Sequence, residues 1–470
     1  MSDRLTLSAV FGDLHEHPGL IGWSQSQVGR VALWVAATAM LCWHGVTVLM
    51  PLALAIVMVF PEQRRLLLSI VAMAVLAERV LEVPNLSWTF MGSGVILGIG
   101  CLFLFFKLVQ QFERWPGPVR RHPILSLHAG IWIALVLSTY PRFGILSLLP
   151  FMAWRLSFMV MQGSRGKLED TRFRDHLFYL LPVYGGTVTP YGKGLEFLSR
   201  HEATDATQFA RSQLAGMKLL VLSAAWYLAR DLMDVALFGE SARYLTFWPE
   251  SWSMGLSRLP EILQEGANPV WYQGWGLIYL ELIRATLSLA AAGHIIVGCI
   301  RLLGFNVFRN TYKPLLSQSI LEFWNRYYYY FKELMVEFFF YPAYLRLRGM
   351  NPAARMFTAI FTAAFLGNMY HHILSRPETV THWDFGQFWM IWGPRFVYCF
   401  LLALGVGFSM VRQQKIRQSA SGQPSRGKLR RIAGVWTFFS IIQIWNVKHE
   451  SVDIFDCARF ALSLVGLPGG

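Results

Sequence analysis

Charged residues are scarce in this chain of 470 residues: Asp, Glu, Lys and Arg make up 15% of it, whereas 54% of its residues are hydrophobic. Water-soluble domains usually carry about 25% charged residues. Charge is missing altogether from several long stretches, which are residues 31–61, 88–106, 123–141, 285–300, 356–375, 396–411 and 432–447. Because a membrane-spanning helix needs roughly 20 mainly apolar residues, the sequence predicts an integral membrane protein.

Cysteine is also sparse, and the chain has no Cys-x-x-Cys pair. The five cysteines are spread over its whole length: Cys42, Cys101, Cys299, Cys399 and Cys457. Neither a disulfide framework nor a metal site is predicted from such a distribution. The chain also lacks an internal repeat and a soluble catalytic module, so any chemistry has to take place within the apolar body.

The fold class follows from the chemistry of the bilayer. A lipid-facing backbone must satisfy its own hydrogen bonds, which favours helices. We therefore predict an all-α polytopic transmembrane bundle of roughly eleven helices. A polar segment at 1–30 precedes a single membrane domain at 31–470. The first apolar stretch is either one retained membrane helix or two helices folded near Trp43-His44-Gly45.

The formal net charge of +14 does not indicate nucleic-acid binding, because the basic residues cluster between the apolar stretches. The largest cluster comes late in the chain: Arg412, Lys415, Arg417, Arg426, Lys428, Arg430 and Arg431. Short basic loops of membrane proteins face the cytoplasm. These clusters set the topology, or they attract an anionic donor such as a CoA thioester.

Two adjacent histidines, His371 and His372, lie near the end of the apolar stretch that begins around Met356. Titratable side chains at membrane depth are costly and therefore invite a functional hypothesis. Adjacent helical residues point about 100° apart, so only one histidine can face a given cavity. A neutral imidazole can take a proton from a hydroxyl group, as acyl transfer requires. The alternative is a pair of histidines at the membrane interface.

Residues 319–344 combine charged, aromatic and apolar side chains at helical spacing. Intervals of three and four place one set along a single stripe, where opposite charges can pair: Glu322, Arg326, Tyr329, Glu333 and Glu337. Asn325, Tyr328 and Lys332 form an adjacent stripe. Such a helix either lies at the membrane interface or lines a polar cavity.

A third polar site lies in the mainly apolar segment 275–303. Glu281 and Arg284 are three residues apart there, so they can pair with each other on one helix face. We expect this pair to neutralise its own charge inside the bundle.

Three short blocks precede the histidines in a fixed order. They are residues 302–305 (Leu-Leu-Gly-Phe), 310–314 (Asn-Thr-Tyr-Lys-Pro) and 319–326 (Ser-Ile-Leu-Glu-Phe-Trp-Asn-Arg). In this order they resemble the membrane-bound O-acyltransferase family, and within it the bacterial branch that acylates cell-envelope glycans and teichoic acids. Looser matches at 181–192 and 214–218 extend the resemblance over roughly residues 175–375.

The resemblance implies that His371 is the catalytic histidine, because residues 369–371 (Met-Tyr-His) stand in place of the family's Leu-Trp-His. His372 stands where other members carry Gly or Glu. The resemblance also implies a multi-pass protein of the cell inner membrane whose bundle encloses a central tunnel. A cytoplasmic acyl thioester enters this tunnel on one side, and a hydroxyl acceptor reaches the imidazole from elsewhere.

One position departs from the family. The second polar catalytic residue, usually His, Asn or Asp, falls on Tyr328, and a tyrosine hydroxyl is a poor substitute for a carboxylate or amide orienter. Asn325, about one turn earlier, can take over that role. Substrate contacts are expected from the remaining polar and aromatic residues of the region and from the second histidine: Glu322, Trp324, Arg326, Lys332 and His372. No metal ligands are predicted.

The resemblance thus predicts transfer of an acyl group from acyl-CoA or another thioester to a hydroxyl of an envelope or exported glycan. The thioester is a substrate, and no bound cofactor is expected. The expected partners are the thioester donor, the hydroxyl acceptor and the lipid bilayer, without nucleic acid. One alternative is an acyltransferase for a lipid or natural-product alcohol. Another is a non-catalytic transporter or scaffold, which the departure at Tyr328 favours.

Overall fold

The structure is a computed structural model. It describes residues 14–81, 88–138, 149–181, 189–242, 245, 249–267, 269–381, 384–418, 427–446 and 452–467. Over these residues the chain is helical and contains no strand, apart from an isolated antiparallel bridge between Glu202 and Phe305. The prediction of an all-α fold is confirmed for this part of the chain.

The first half of the chain contains eleven described helices. They are α1 Pro18–Gln25, α2 Gln27–Trp43, α3 Leu49–Val59, α4 Arg64–Leu81, α5 Trp88–Gln110, α6 Gly117–Arg121, α7 Pro123–Ser138, α8 Leu149–Gly163, α9 Arg174–Leu180, α10 Gly194–Arg200 and α11 Ala206–Met233. Single 3-10 turns occur at Leu14–Glu16, Pro61–Gln63, Phe112–Arg114 and Pro190–Lys193.

The second half contains eleven more described helices, of which two are longer than thirty residues. They are α12 Leu259–Glu265, α13 Trp271–Leu302, α14 Ile320–Tyr327, α15 Tyr329–Met335, α16 Tyr341–Arg346, α17 Pro352–Phe361, α18 Asn368–Leu374, α19 Glu378–Thr381, α20 Phe385–Gln418, α21 Lys428–Gln443 and α22 Ile454–Ser463. Turns of 3-10 helix occur at Glu250–Trp252 and Pro314–Leu316, and π-helical turns at Asp234–Phe238, Val336–Phe340 and Thr362–Gly367.

Two helices of the described part are long and apolar enough to cross a membrane: α13, and α20 over Phe385–Gln414. Shorter apolar helices cover Gln27–Trp43, Leu49–Val59, Ile96–Gln110 and Pro123–Leu137. The bundle of about eleven membrane helices goes beyond these two candidate spans and stays a prediction.

The first apolar stretch forms two helices. α2 ends at Trp43 and α3 begins at Leu49, and Gly45 lies between them with a φ of 68°. Glycine adopts such a left-handed conformation without steric cost, which explains why the chain reverses here. Of the two readings left open by the sequence, the pair of helices is the one observed.

The chain divides into two compact units. Unit 1 comprises Met1–Ala224 and His294–Arg309, and unit 2 comprises Ala225–Gly293 and Asn310–Gly470. The domain boundaries expected from the sequence stay predictions. Of the expected polar segment 1–30, residues 1–13 lie outside the described residues, and the rest contains α1 and the start of α2.

In unit 1, two glycines allow α11 and α13 to approach each other closely. A Cβ atom at Gly216 would lie 2.8 Å from the carbonyl oxygen of Gly298. Small residues let helix backbones come together in this way. Gly216 belongs to the loosely matching block 214–218. Its contact with Gly298 explains why this position of the block is a glycine.

Gly304 of unit 1, in the block 302–305, is likewise a glycine that close packing requires. Its φ is 91°, and a Cβ atom there would lie 2.7 Å from the ring of Phe209 and would also meet the Arg64 guanidinium. That guanidinium is buried and donates to the carbonyl oxygens of Gly304 (3.2 Å) and Ala203 (2.8 Å). The position therefore requires glycine both for its backbone conformation and for space.

Unit 2 has an apolar core that holds α17, α20 and α21 around α14. Phe323 of α14 stacks on Phe439 of α21, and Leu402 of α20 belongs to the same cluster. The last helix, α22, packs through Phe460 against Leu277 of α13. The first of these clusters holds α14, the helix that carries Glu322, Trp324 and Asn325.

Candidate functional site

His371 lies in α18, near the end of an almost continuous helical rod. The rod begins with α17, passes through the π-helical turn Thr362–Gly367 and continues as α18. The side chain of His371 is partly buried. The predicted catalytic imidazole is thus neither sealed off completely nor fully exposed.

A second π-helical turn, Val336–Phe340, packs against this rod. Gly367 makes the approach possible, because a Cβ atom there would lie 2.7 Å from the Phe339 ring and 2.9 Å from the Met335 sulfur. π-Helical turns are rare and occur frequently at functional sites. Apart from Gly367, no residue of the sequence indicates either π-helical turn.

The helix expected over 319–344 is interrupted, and this corrects the prediction of a continuous polar stripe. α14 ends at Tyr327 and α15 begins at Tyr329, while Tyr328 between them has φ −143° and ψ 78°. The expected charge pairing survives locally: Arg326 pairs with Glu322 at 2.7 Å within α14. Beyond the break the helix starts anew, so side chains of α15 do not continue the same stripe.

Asn310 and Thr311 satisfy the backbone at this break. The N–H of Tyr329 donates to the Asn310 carbonyl oxygen (2.9 Å), and the N–H of Tyr330 donates to Asn310 Oδ1 (3.3 Å). Thr311 Oγ1 donates to the carbonyl oxygen of Tyr327 (2.9 Å). Unpaired backbone groups are costly in an apolar interior, so these two residues make the break tolerable. From the sequence these two residues are recognised only as members of the block 310–314 that carries the family resemblance.

Phe331 brings three of the predicted site residues together. Its ring stacks on Tyr328 (centroids 5.6 Å apart), lies edge-on to His371 (5.0 Å) and contacts Trp324 (6.0 Å). His372 lies beside His371, with ring centroids 5.8 Å apart. The imidazole therefore sits against an aromatic group to which the predicted residue Tyr328 belongs.

The two predicted orienters of His371 do not bond to it in the described structure. Phe331 contacts both the Tyr328 ring and the imidazole, and no hydrogen bond joins Tyr328 to His371. Asn325 is exposed on α14 and likewise makes no hydrogen bond to His371. Their roles as orienters of His371 stay predictions.

The charged members of the predicted substrate-binding set pair with their neighbours. Glu322 accepts the N–H of Gln318 at 2.7 Å in addition to its pair with Arg326. Lys332 pairs with Glu333 at 2.5 Å and lies over the Tyr329 ring. Each of these charges is therefore partly neutralised within its own helix.

Glu281 and Arg284 do not form the pair that the sequence suggested, because each has another partner. They belong to a chain of ion pairs in unit 2 whose signs alternate in the order Asp231, Arg230, Asp234, Arg284, Glu240, Arg258 and Glu281. We call these seven residues the charge chain. It links the end of α11, α13 and the segment that leads into α12.

Arg258, which precedes α12 and lies outside the two candidate spans, holds one end of the charge chain. Its Nε and Nη2 donate to the two carboxylate oxygens of Glu281 at 2.5 and 2.9 Å, and its Nη1 donates to Glu240 at 2.6 Å. Burial alone lowers the pKa of this guanidinium, but the two carboxylates outweigh burial and raise the pKa above its ordinary value. The bidentate geometry is the strong form of such a pair.

No group of three or more His, Cys, Asp or Glu side chains in the described ranges could hold a metal ion. Unit 1 contains a cavity of about 370 Å³ whose lining includes Arg30, Glu62, Arg64 and Asp205. None of the predicted site residues lines this cavity, so it supplies no second argument for their role.

Comparison with protein-family models and with curated proteins finds no match for this chain.

Proposed function

We propose that this protein is a membrane-embedded O-acyltransferase that uses His371 as its general base. It moves an acyl group from acyl-CoA or a related thioester to a hydroxyl of an envelope or exported glycan. In this proposal the chain crosses the cell inner membrane several times, and both substrates reach the imidazole through a central tunnel. The proposal extends the resemblance to the membrane-bound O-acyltransferases.

A bilayer location is supported by apolar side chains on the outside of the apolar helices. Val28 and Val31 of α2, Ile96 of α5, Leu125 of α7 and Phe408 of α20 are all exposed, between 61% and 74%. Exposure of apolar surface to water costs free energy, whereas contact with the acyl chains of lipids does not.

The observation that carries the catalytic proposal is the setting of the imidazole. A partly accessible histidine lies in apolar, aromatic surroundings, beside two π-helical turns and a broken helix. Ionisable groups at membrane depth are kept mainly for function, and a histidine in such a place can act as a base near pH 7. A purely structural histidine would not need these irregular turns around it.

The proposed reaction is direct transfer. One imidazole nitrogen of His371 takes the proton of the acceptor hydroxyl, and the hydroxyl oxygen forms a bond to the thioester carbonyl carbon. The C–S bond then breaks, and the proton passes from the imidazolium to the leaving thiolate, which gives an ester and a free thiol. General-base assistance of this kind contributes about 10² to 10⁴ in rate.

The other predicted site residues are assigned to the substrates. The hydroxyl of Tyr328, next to Phe331, is suited to hold the thioester carbonyl, and exposed Asn325 is suited to the approach of a polar substrate. The predicted substrate-contacting residues line the path by which the substrates reach His371: Glu322, Trp324, Arg326, Lys332 and His372.

The test uses the full chain purified into lipid nanodiscs. It is incubated with acetyl-, octanoyl- or palmitoyl-CoA and an envelope extract, and free thiol and acylated product are measured. His371→Gln should abolish both signals, whereas His372→Gln, one residue away in the substrate-contacting set, should reduce them only in part. Full activity of His371→Gln would reject the assignment.

The same assay separates the alternatives. Label recovered in a lipid or small-alcohol fraction would favour that class of acceptor over a glycan. If wild-type protein releases no thiol with any donor, the non-catalytic scaffold is favoured instead.

A further inference from the structure

Asn368, the first residue of α18, carries a buried amide oxygen that makes no hydrogen bond. The residue is 2% exposed, and its Oδ1 contacts no donor in the part of the chain that the structure describes. A buried hydroxyl can turn to find an acceptor, but an amide oxygen can only accept. Because an unpaired buried acceptor costs folding free energy, a donor is expected to reach this oxygen in the working protein.

The position of Asn368 points to His371 as that donor. The two residues are three apart on one helix and therefore share a face. Long side chains on a helix lean toward its N-terminus, so the imidazole of His371 lies over the turn that contains Asn368. Phe365, three residues before Asn368, is apolar and has no proton to donate. His372, four residues after Asn368, is the competing donor, and the experiment below distinguishes it from His371.

We infer that Asn368 is a positioning residue whose Oδ1 accepts a hydrogen bond from Nδ1–H of His371. Nδ1 is the ring nitrogen nearer the backbone of the helix, and Nε2 points away from it. The bond selects the tautomer in which Nε2 is free to take the proton of the acceptor hydroxyl. Apo active sites often leave such bonds open until substrates bind.

This inference rests on the proposed function, and it fills the role that Asn325 and Tyr328 do not fill in the structure. During transfer, Nε2 gains the hydroxyl proton while Nδ1–H remains bonded to Asn368. The proton on Nε2 then passes to the leaving thiolate. Asn368 itself neither gains nor loses a proton.

The experiment reads the tautomer directly. The full chain is labelled with ¹⁵N-histidine in nanodiscs, and the His371 signals are assigned by their loss in His371→Gln. In the wild type with bound palmitoyl-CoA, the Nδ1–H form should dominate. Asn368→Leu, of similar size but without an acceptor, should reduce the ratio of Nδ1–H to Nε2–H by about 2- to 12-fold, the range expected for one neutral hydrogen bond.

Two further variants control for structural effects. Asn368→Asp keeps an acceptor oxygen and should preserve the tautomer of His371. Ser440→Ala removes another buried polar atom, in α21, and should leave the ratio unchanged. If Asn368→Leu does not fold, the smaller Asn368→Ala replaces it.

An unchanged His371 ratio in Asn368→Leu, or a change confined to His372, would overturn the inference. The kinetic readout is a fall in kcat with an unaltered KM for the thioester, and a change in KM alone would also overturn it. If the wild type transfers no acyl group but Asn368→Leu still changes the tautomer ratio of His371, the proposed function is refuted and the role of Asn368 stands.

Discussion

Replacing Arg258 by leucine should destabilise unit 2 more than any exposed charge substitution. The substitution removes both hydrogen bonds to Glu281 and the one to Glu240. The Glu281 side chain is only 12% exposed, so water cannot replace the lost partner. Removing one member of a buried ion pair typically costs about 3–5 kcal/mol.

Replacing Arg258 and Glu281 together should lower the free energy of unfolding by less than the sum of the two single replacements. Arg258→Leu with Glu281→Leu leaves no stranded carboxylate at that end of the charge chain, and paired apolar replacements are often nearly neutral. The coupling between the two changes should therefore lie within the 0.5–3 kcal/mol range of contacting residues. Glu240 keeps Arg284 as a partner at 3.4 Å in every variant.

The assay is a reversible SDS titration of the protein in mixed micelles, followed by tryptophan fluorescence. The matched control is Arg120→Leu, because Arg120 and Glu113 form an exposed pair (46% and 83%) in α6 and the turn before it. Such a pair contributes about 0–1 kcal/mol. If Arg258→Leu changes the unfolding free energy no more than Arg120→Leu does, the charge chain is not a stabilising element and the reasoning fails.

Three other changes test the backbone features. Gly304→Ala should lower the free energy of unfolding by about 2–5 kcal/mol, from left-handed strain and overpacking together. Gly166→Ala, which also has a positive φ but whose Cβ would meet only the Glu169 side chain at 3.8 Å, should lower it by about 1–2 kcal/mol in the same titration. Asn310→Leu strands the N–H of Tyr330, so it should cost about 1–3 kcal/mol and reduce thiol release in the acyl-transfer assay. Gly367→Ala should cost about 1–3 kcal/mol by forcing the two π-helical turns apart, and wild-type stability would contradict that packing.

The elements that the sequence predicted well are those set by local chemistry. Absence of charge and the need for internal hydrogen bonds indicated helices, and Trp43-His44-Gly45 marked the place where the first apolar stretch could divide into two of them. Glycines in the matching blocks were visible, although their packing reasons, as at Gly304, needed the positions of distant side chains.

The elements that the sequence missed depend on partners far away in the chain. Nothing between Trp324 and Phe331 signals a helix break, because the groups that satisfy its backbone, an acceptor on Asn310 and a hydroxyl donor on Thr311, come from outside this segment. Glu281 and Arg284 satisfy the local pairing rule, yet tertiary contacts give each a partner about 23 to 50 residues away. Local spacing cannot reveal such competition.

Three of the irregular backbone segments of unit 2 lie around one imidazole. A break at Tyr328, a π-helical turn at Val336–Phe340 and another at Thr362–Gly367 all occur on the segments that pack around His371. Regular helices satisfy their own backbone in lipid, whereas departures from them persist only where protein groups or a cavity compensate. In the acyltransferase that we propose, these departures let a histidine, its amide neighbour Asn368 and the aromatic ring of Phe331 meet at one place, where the two substrates would be held.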